Sequence, residues 1–181
     1  MGINLKSFTQ KHGKKRISAY DITLMALMVA IIEVCKFALA HIPNVELTSF
    51  WIIMFSLYYG WRIFYVLPVF ILIEGIVYGF GLWWIMYLYV WPILAIATLL
   101  FRKQKDAWDL AIISCVFGLT FGFFSGIPNV FLLGMKGAFA WWIAGIPWDI
   151  VHGVANFAIM LVLYKPINFV MSKLKNTNDN I

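Results

Sequence analysis

An acid, a histidine and an amide interrupt a long apolar stretch near the C-terminus. Asp149, His152 and Asn156 are spaced i, i+3 and i+7, so on a helix they share one face. Ionisable groups at membrane depth are costly and usually face a cavity or a partner. The spacing therefore predicts a polar binding face. Two simpler interpretations stay open: Asp149 follows Pro147 and could stabilise a helix N-terminus, or it could pair with His152.

Two further acids lie in apolar surroundings. Glu74 is the only charged residue between positions 64 and 101, so it needs a partner from another helix, from water or from a ligand. Glu33 precedes Lys36 by three residues, and an i, i+3 ion pair is its simplest explanation. Glu74 is therefore the second candidate for a ligand contact.

Aromatic side chains cluster over residues 80–91. An interfacial aromatic belt explains Trp83 and Trp84. Tyr87 and Trp91 continue deeper along the face of Trp84, and flat rings facing a cavity suit a planar ligand. Both interpretations stay open for Trp83 and Trp84, whereas Tyr87 is predicted to line a ligand wall.

The elements that must position these residues are membrane-spanning helices. Hydrophobic residues make up 63% of the 181 positions and charged residues 12%, far from the composition of soluble proteins. One spanning helix needs about 20 apolar residues, so the apolar region accommodates about six. The predicted spans are 20–41, 47–60, 62–80, 82–101, 108–133 and 140–164.

Lysine and arginine predict the orientation. They concentrate in the N-terminal segment 1–19, in the break 102–106 and at the C-terminal end, whereas the opposite loops hold only Lys136. Six spans place all three basic regions on the cytoplasmic side, with both termini. The net charge of +6 then reflects topology and contact with anionic lipid, not nucleic-acid binding.

Proline predicts interruptions in the last two spans. Pro128 and Pro147 are expected to break their helices at similar depth and to leave a cavity there, and Pro166 is expected to close the sixth span. Asn129, directly after Pro128, is predicted to cap the broken fifth helix or to donate to a ligand.

No catalytic motif accompanies this pattern. The chain has no Walker motif, no metalloprotease or nucleophile-elbow motif and no Cys/His cluster, so we expect no enzyme activity, metal or cofactor. Ala26 and Ala30, one helical turn apart, allow another helix to approach closely. Ordinary packing within the chain explains the same spacing.

These features together resemble the substrate-binding S component of energy-coupling factor (ECF) vitamin transporters. The resemblance covers nearly the whole chain: its length, six spans, cytoplasmic termini, Ala26-xxx-Ala30 and the segments 41–47 and 145–157. The pattern Gly-Ile-Pro-x-Asp-x-x-His-x-x-x-Asn in the second segment is more specific than the two alanines.

The resemblance implies a high-affinity vitamin-binding subunit of an ABC importer in a bacterial cell membrane. Residues 20–166 would form the six-helix domain, between the basic segment 1–19 and a polar cytoplasmic tail, 167–181. Ala26 and Ala30 would pack on a transmembrane coupling subunit driven by two ATPases that hydrolyse the ATP. The first outer loop would be a lid formed by Pro43, Asn44 and Glu46.

The resemblance also implies the residues of a vitamin pocket. A pocket with two carboxylates and no deep Arg or Lys predicts a neutral or cationic heteroaromatic ligand, unless Lys36 or Lys136 points inward. The particular vitamin stays open. The predicted substrate-binding residues are Glu74, Trp84, Tyr87, Asn129, Trp141, Asp149, His152 and Asn156.

Two other function classes compete with this one. A proton-coupled secondary transporter would use Glu74 and His152 as a relay, but no inverted repeat is visible. An intramembrane enzyme would use Asp149 and His152 as a general base pair, but no nucleophile or metal set stands near them in the sequence.

Overall fold

The computed structural model describes residues 18–102 and 106–179, and every regular element in these ranges is a helix. The prediction of an all-α chain is confirmed. Nearly all of the basic segment 1–19, together with Lys103 and Lys105, lies outside the described residues. The helices are α1 (Ala19–Leu39), α2 (Thr48–Tyr59), α3 (Ile63–Tyr78), α4 (Leu82–Leu100) and α5 (Ala107–Asp179), with one 3₁₀ turn, Gly60–Arg62, before α3.

Four helical stretches of the described chain are long and apolar enough to cross a membrane. They are Ala19–Leu39, Thr48–Tyr78, Leu82–Leu100 and Ala107–Leu174. The chain therefore has the helices of a membrane-embedded protein, as its composition predicts. The second and fourth stretches, with 31 and 68 residues, exceed the roughly 20 residues that one crossing needs.

Contacts at both ends of α1 show that α1 and α3 run in the same direction. Ser18 caps the start of α1, where its Oγ accepts a hydrogen bond from the Asp21 N–H at 3.1 Å. The Asp21 carboxylate lies 3.0 Å from Arg62, just before α3 begins. Towards the other end of α1, Lys36 forms an ion pair with Glu74 of α3.

The short helix α2 runs in the opposite direction, packs mainly against α4 and α5, and forms the centre of the fold. Trp51 donates its indole N–H to Cys35 Sγ at 3.2 Å, so α2 starts beside the end of α1. Residues 48–50 and 52–56 are all buried, which means that α2 is surrounded by other helices. The chain reverses again over Gly60–Arg62 to enter α3.

Hydrogen bonds from aromatic side chains join α4 to its neighbours. The Trp84 indole N–H donates to the Ile71 carbonyl of α3 at 2.8 Å. The Tyr89 hydroxyl donates to the Phe124 carbonyl of α5 at 2.6 Å. These bonds place α4 between α3 and the first part of α5.

Helix α5 folds back on itself at Gly134. This residue has φ 66° and ψ 175°, a conformation that a helix cannot contain and that glycine adopts readily. Residues 107–133, the first half of α5, and residues 135–179, the second half, pack against each other in opposite directions. Asn156 Nδ2 of the second half lies 3.4 Å from the Ser114 carbonyl of the first half.

The predicted proline breaks are wrong. Within the described α5, Gly134 is the non-helical position, and the helix continues through Pro128, Pro147 and Pro166. At Pro128 the reason is visible: the carbonyl four residues earlier, which proline cannot bond, belongs to Phe124 and accepts the Tyr89 hydroxyl instead. Asp149 therefore lies inside a helix, not in the first turn of a new one.

The two halves of α5 approach each other closely at a pair of glycines, Gly118 and Gly153. A Cβ atom on Gly118 would lie 2.7 Å from the backbone nitrogen of Gly153, whereas a Cβ on Gly145 would meet nothing within 4 Å. We expect Gly118→Ala to lower the free energy of unfolding by about 1–3 kcal/mol, because the two helices must separate. Gly145→Ala is the control, expected to be neutral or to stabilise by up to about 1 kcal/mol. Equal stability of both variants in a denaturation experiment in detergent would contradict the close packing.

Candidate functional site

The loop between α1 and α2, residues 40–47, is fixed to the helices by Glu46. The carboxylate of Glu46 accepts hydrogen bonds from the Ser49 N–H at 2.9 and 3.1 Å and from the Ser49 hydroxyl. It thereby satisfies a backbone donor at the start of α2. The same carboxylate lies 3.3 Å from Nε2 of His152 on α5. Glu46 thus joins the predicted lid to the predicted polar face.

A large cavity lies between this loop and the two halves of α5; we call it the outer cavity. Its volume is about 590 Å³. Among its lining residues are the predicted lid residues Pro43 and Asn44 and the predicted binding residues Trp141 and Asp149. The lining residues include no Lys or Arg, and they are Pro43, Asn44, Phe121, Gly122, Ser125, Trp141, Ala144, Gly145, Trp148 and Asp149.

Asp149 supplies the charge of the outer cavity. Its side chain is almost fully buried. Oδ1 accepts a hydrogen bond from the backbone N–H of Gly122 at 2.8 Å, whereas Oδ2 is buried and has no hydrogen-bond partner. A buried carboxylate oxygen without a partner is unusual in folded proteins. Asp149 is therefore the charged residue of this cavity with an acceptor atom that no group of the described chain uses.

Gly122 is a functional candidate that the sequence did not reveal. A Cβ atom at this position would lie 2.3 Å from Asp149 Oδ2, so any side chain would push the carboxylate away. The residue lies in an ordinary apolar helix, 27 positions before Asp149, and only the packing of the two halves brings it there. Its spacing in the sequence carries no signal of this contact.

His152 does not pair with Asp149. Its Nε2 faces Glu46, and its ring packs edge-on against Phe121, with centroids 4.9 Å apart. Nδ1 is buried without a hydrogen-bond partner. Asn156, one turn further, contacts the Ser114 carbonyl and so joins the two halves of α5. The three residues of the predicted face therefore have different neighbours.

Glu74 and Tyr87 line a separate cavity, which we call the inner cavity. It has a volume of about 310 Å³ and lies between α1, α3 and α4. The partner that Glu74 requires is Lys36, whose Nζ also lies 3.3 Å from the Tyr87 hydroxyl. The expected pairing of Lys36 with Glu33 is not formed, since Glu33 Oε1 is buried without a hydrogen-bond partner. The residues around this cavity are Lys36, Ala40, Glu74, Tyr78, Trp83 and Tyr87.

Four predicted ligand contacts line neither cavity: Trp84, Asn129, His152 and Asn156. Trp84 joins α3 and α4 through its bond to Ile71, and Asn129 donates to the Ser125 carbonyl at 3.1 Å, one turn earlier in the same helix. Asn129 does not cap a broken helix, because the helix is not broken there. The predicted coupling residues Ala26 and Ala30 are exposed on the outer surface of α1.

The charge of Glu46 stabilises the observed conformation of the loop 40–47. Burial raises the pKa of this carboxyl, but the hydrogen bonds from His152 and Ser49 outweigh burial and hold the pKa below its ordinary value of 4.5. A lowered pKa in the folded state means that the ionised carboxylate contributes stability above pH 4.5. This contribution is lost as the pH falls through the folded-state pKa.

We therefore expect the free energy of unfolding to fall more steeply below pH 5 in the native chain than in Glu46→Gln. Unfolding in detergent at a series of pH values measures both slopes. Asp106→Asn, at an exposed position outside the helices, is the matched control and should retain the native slope. Identical slopes for the native chain and Glu46→Gln would mean that the carboxylate is not ionised against these partners.

No family model, curated protein or solved structure matches the chain. Among the described residues, no group of three or more His, Cys, Asp or Glu side chains is arranged to hold a metal ion. The chemistry of the two cavities is therefore the basis on which a function is assigned.

Proposed function

We propose that the protein is a membrane-embedded substrate-binding subunit of an ECF-type importer, and that its ligand is a neutral or cationic heteroaromatic vitamin or a related micronutrient. The observation that carries the proposal is the outer cavity, which is lined by one carboxylate residue, Asp149, together with the aromatic residues Phe121, Trp141 and Trp148. The cavity volume of about 590 Å³ is in the range of small-molecule sites.

The charges around the outer cavity support a neutral or cationic ligand. Asp149 is the one carboxylate among the lining residues, and Lys and Arg are absent from the lining. An anionic ligand would meet this negative charge in a medium that screens it poorly. A ligand with a protonated ring nitrogen or an amino group would donate to Asp149 Oδ2, while Trp141 and Trp148 would stack on its ring.

The chain direction supports six crossings. The stretch Thr48–Tyr78 reverses at Gly60–Arg62, and Ala107–Leu174 reverses at Gly134, so each contains two antiparallel segments. In this arrangement Ser18 and Asn168 lie at the same end of the fold, since Tyr58 near the end of α2 bonds Asn168. The basic segments then favour a cytoplasmic position for both termini, and the loop 40–47 is on the outside.

The exposed alanines support a partner in the membrane. The chain contains no motif for ATP hydrolysis, so an importer of this type would take its energy from another subunit. Ala26 and Ala30 present a small, exposed patch on α1 against which a helix of a coupling subunit can pack closely. Two ATPase subunits would complete the importer.

A ligand panel tests the binding function. The detergent-purified protein is titrated with thiamine, pyridoxine, riboflavin and cobalamin, and with the anionic vitamins folate and biotin, while tryptophan fluorescence is followed. We expect saturable binding of a neutral or cationic compound, reported by Trp141 and Trp148. Tight binding of folate or biotin alone would contradict the assignment of the ligand class.

Replacing Ala30 by Trp separates binding from coupling. The variant should keep the affinity for the ligand, because Ala30 lies on the outer surface, but it should lose transport in cells and co-purification with ATPase subunits. Leu88→Trp, at an exposed position on α4, is the control and should keep both binding and transport. A native chain that purifies with no ATPase and still transports would contradict the assignment.

A further inference from the structure

The ammonium group of Lys36 lies in a cage of aromatic rings and one carboxylate. Its Nζ is 5.0, 5.5 and 5.8 Å from the ring centroids of Tyr87, Tyr78 and Phe70, and it forms an ion pair with Glu74. Distances within about 6 Å of a ring centroid are those at which a cation is attracted to an aromatic face. Three rings and a carboxylate around one nitrogen form a specific site for an ammonium ion.

We infer that the inner cavity is a second binding site, for a ligand with a primary ammonium group, and that Lys36 occupies this site as a tethered competitor. The inference does not depend on the proposed function, since it involves none of the residues around Asp149. It follows from the cage, from the space beside it and from the surplus of negative charge around it.

The space beside Lys36 is sufficient for a small ligand. The inner cavity of about 310 Å³ is lined by the same residues that surround the ammonium group, together with Trp83 and Ala40. The Lys36 side chain is 25% exposed, so it borders the open part of the cavity and is not enclosed by protein. Its flexible stem allows the ammonium group to leave the cage when another cation enters.

The charges favour a cation over an anion at this site. Glu74 is fully buried, and its Oε1 has no hydrogen-bond partner even with Lys36 in place. Glu74 is the direct ion-pair partner of Lys36, and Glu33 lies one helical turn before Lys36 on α1, so two carboxylates stand against one amine. A second ammonium group therefore meets an acceptor and a negative field, whereas a carboxylate or phosphate would be repelled.

The Lys36 side chain is covalently attached beside the cage, so a free ligand must compete with its ammonium group for the site. A group held by a short flexible stem acts at an effective concentration in the millimolar range or above. A free monoamine therefore binds the native chain weakly, because Lys36 already fills the cage. Removing the lysine amine should convert the cage into an open site for the same chemical group.

The test uses the variant Lys36→Ala together with the small cation n-propylammonium. This cation has the three carbons and the ammonium group that the substitution removes from the side chain. We expect n-propylammonium to raise the thermal unfolding midpoint of Lys36→Ala in detergent, with an apparent affinity at least tenfold higher than for the native chain. The neutral alcohol 1-propanol has a similar shape and should produce no such shift. Adding Glu74→Gln to Lys36→Ala should lower the affinity for the amine at least tenfold.

A folded Lys36→Ala chain that responds equally to n-propylammonium and 1-propanol would overturn the inference. If the variant does not fold alone, it is purified in the presence of either compound. Recovery of folded protein with the amine only supports the inference, and recovery with neither compound, or equally with both, contradicts it.

Discussion

Lys36→Met should destabilise the protein more than any other single substitution considered for this chain. The change keeps the length of the side chain but leaves the carboxylate of Glu74, which is fully buried, without its ion-pair partner. Removing one member of a buried ion pair typically costs about 3–5 kcal/mol, because the other charge stays desolvated. Unfolding in a mixed-detergent titration, followed by tryptophan fluorescence, measures the loss.

A double variant distinguishes the stability lost with the ion pair from the stability lost with side-chain packing. Lys36→Met combined with Glu74→Met removes both charges and keeps flexible side chains in the same space, so most of the lost stability should return. Glu33→Gln is the matched control. It removes a carboxylate from the same helix that makes no direct ion pair with Lys36, so it should change the stability much less than Lys36→Met does. If the double variant is as unstable as Lys36→Met, packing and not the buried charge accounts for the loss.

Asp149→Asn should weaken ligand binding about ten- to a hundredfold. The substitution keeps the size of the side chain but removes the charge that accepts a donor from a cationic ligand. Hydrogen bonds to charged groups contribute about 1.5–3 kcal/mol, and each 1.4 kcal/mol is a factor of ten in affinity. Titration of the ligand identified in the vitamin panel, followed by tryptophan fluorescence, gives the two dissociation constants.

Asp109→Asn is the control for this experiment. It makes the same chemical change in the first turn of α5, far along the helix from the outer cavity, and should leave the affinity unchanged. If Asp149→Asn binds the ligand as tightly as the native chain, the role of Asp149 is to bond Gly122 and join the two halves of α5. The ligand would then have to be sought in the inner cavity.

The helices could be predicted because they depend on local composition. A run of about 20 apolar residues forms a helix in lipid whatever its neighbours are, since the backbone must satisfy its own hydrogen bonds. The predicted loop beginning at Gly134 does contain the reversal of α5. The helix resumes directly after Gly134, however, and not at residue 140.

The errors concern partners that are distant in the sequence. Lys36 bonds Glu74 across 38 positions, whereas the sequence offered the nearer Glu33. Pro128 lies inside a helix because Tyr89, from α4, supplies a donor for the carbonyl that proline leaves free. Spacing rules describe one helix at a time, so they cannot identify a partner that another helix brings.

The contacts between the halves of α5 also have a consequence for membrane insertion, under the proposed arrangement of six crossings. In the second half, Asp149 and Asn156 find their partners, Gly122 and Ser114, in the first half. An aspartate at the centre of a lone helix opposes membrane insertion by about 2.5–3.5 kcal/mol. The first half is synthesised earlier and is already present to receive these groups. If the two halves cross the bilayer as proposed, we expect the reversal at Gly134 to make them insert as a single unit, in which Asp149 and Asn156 keep their partners.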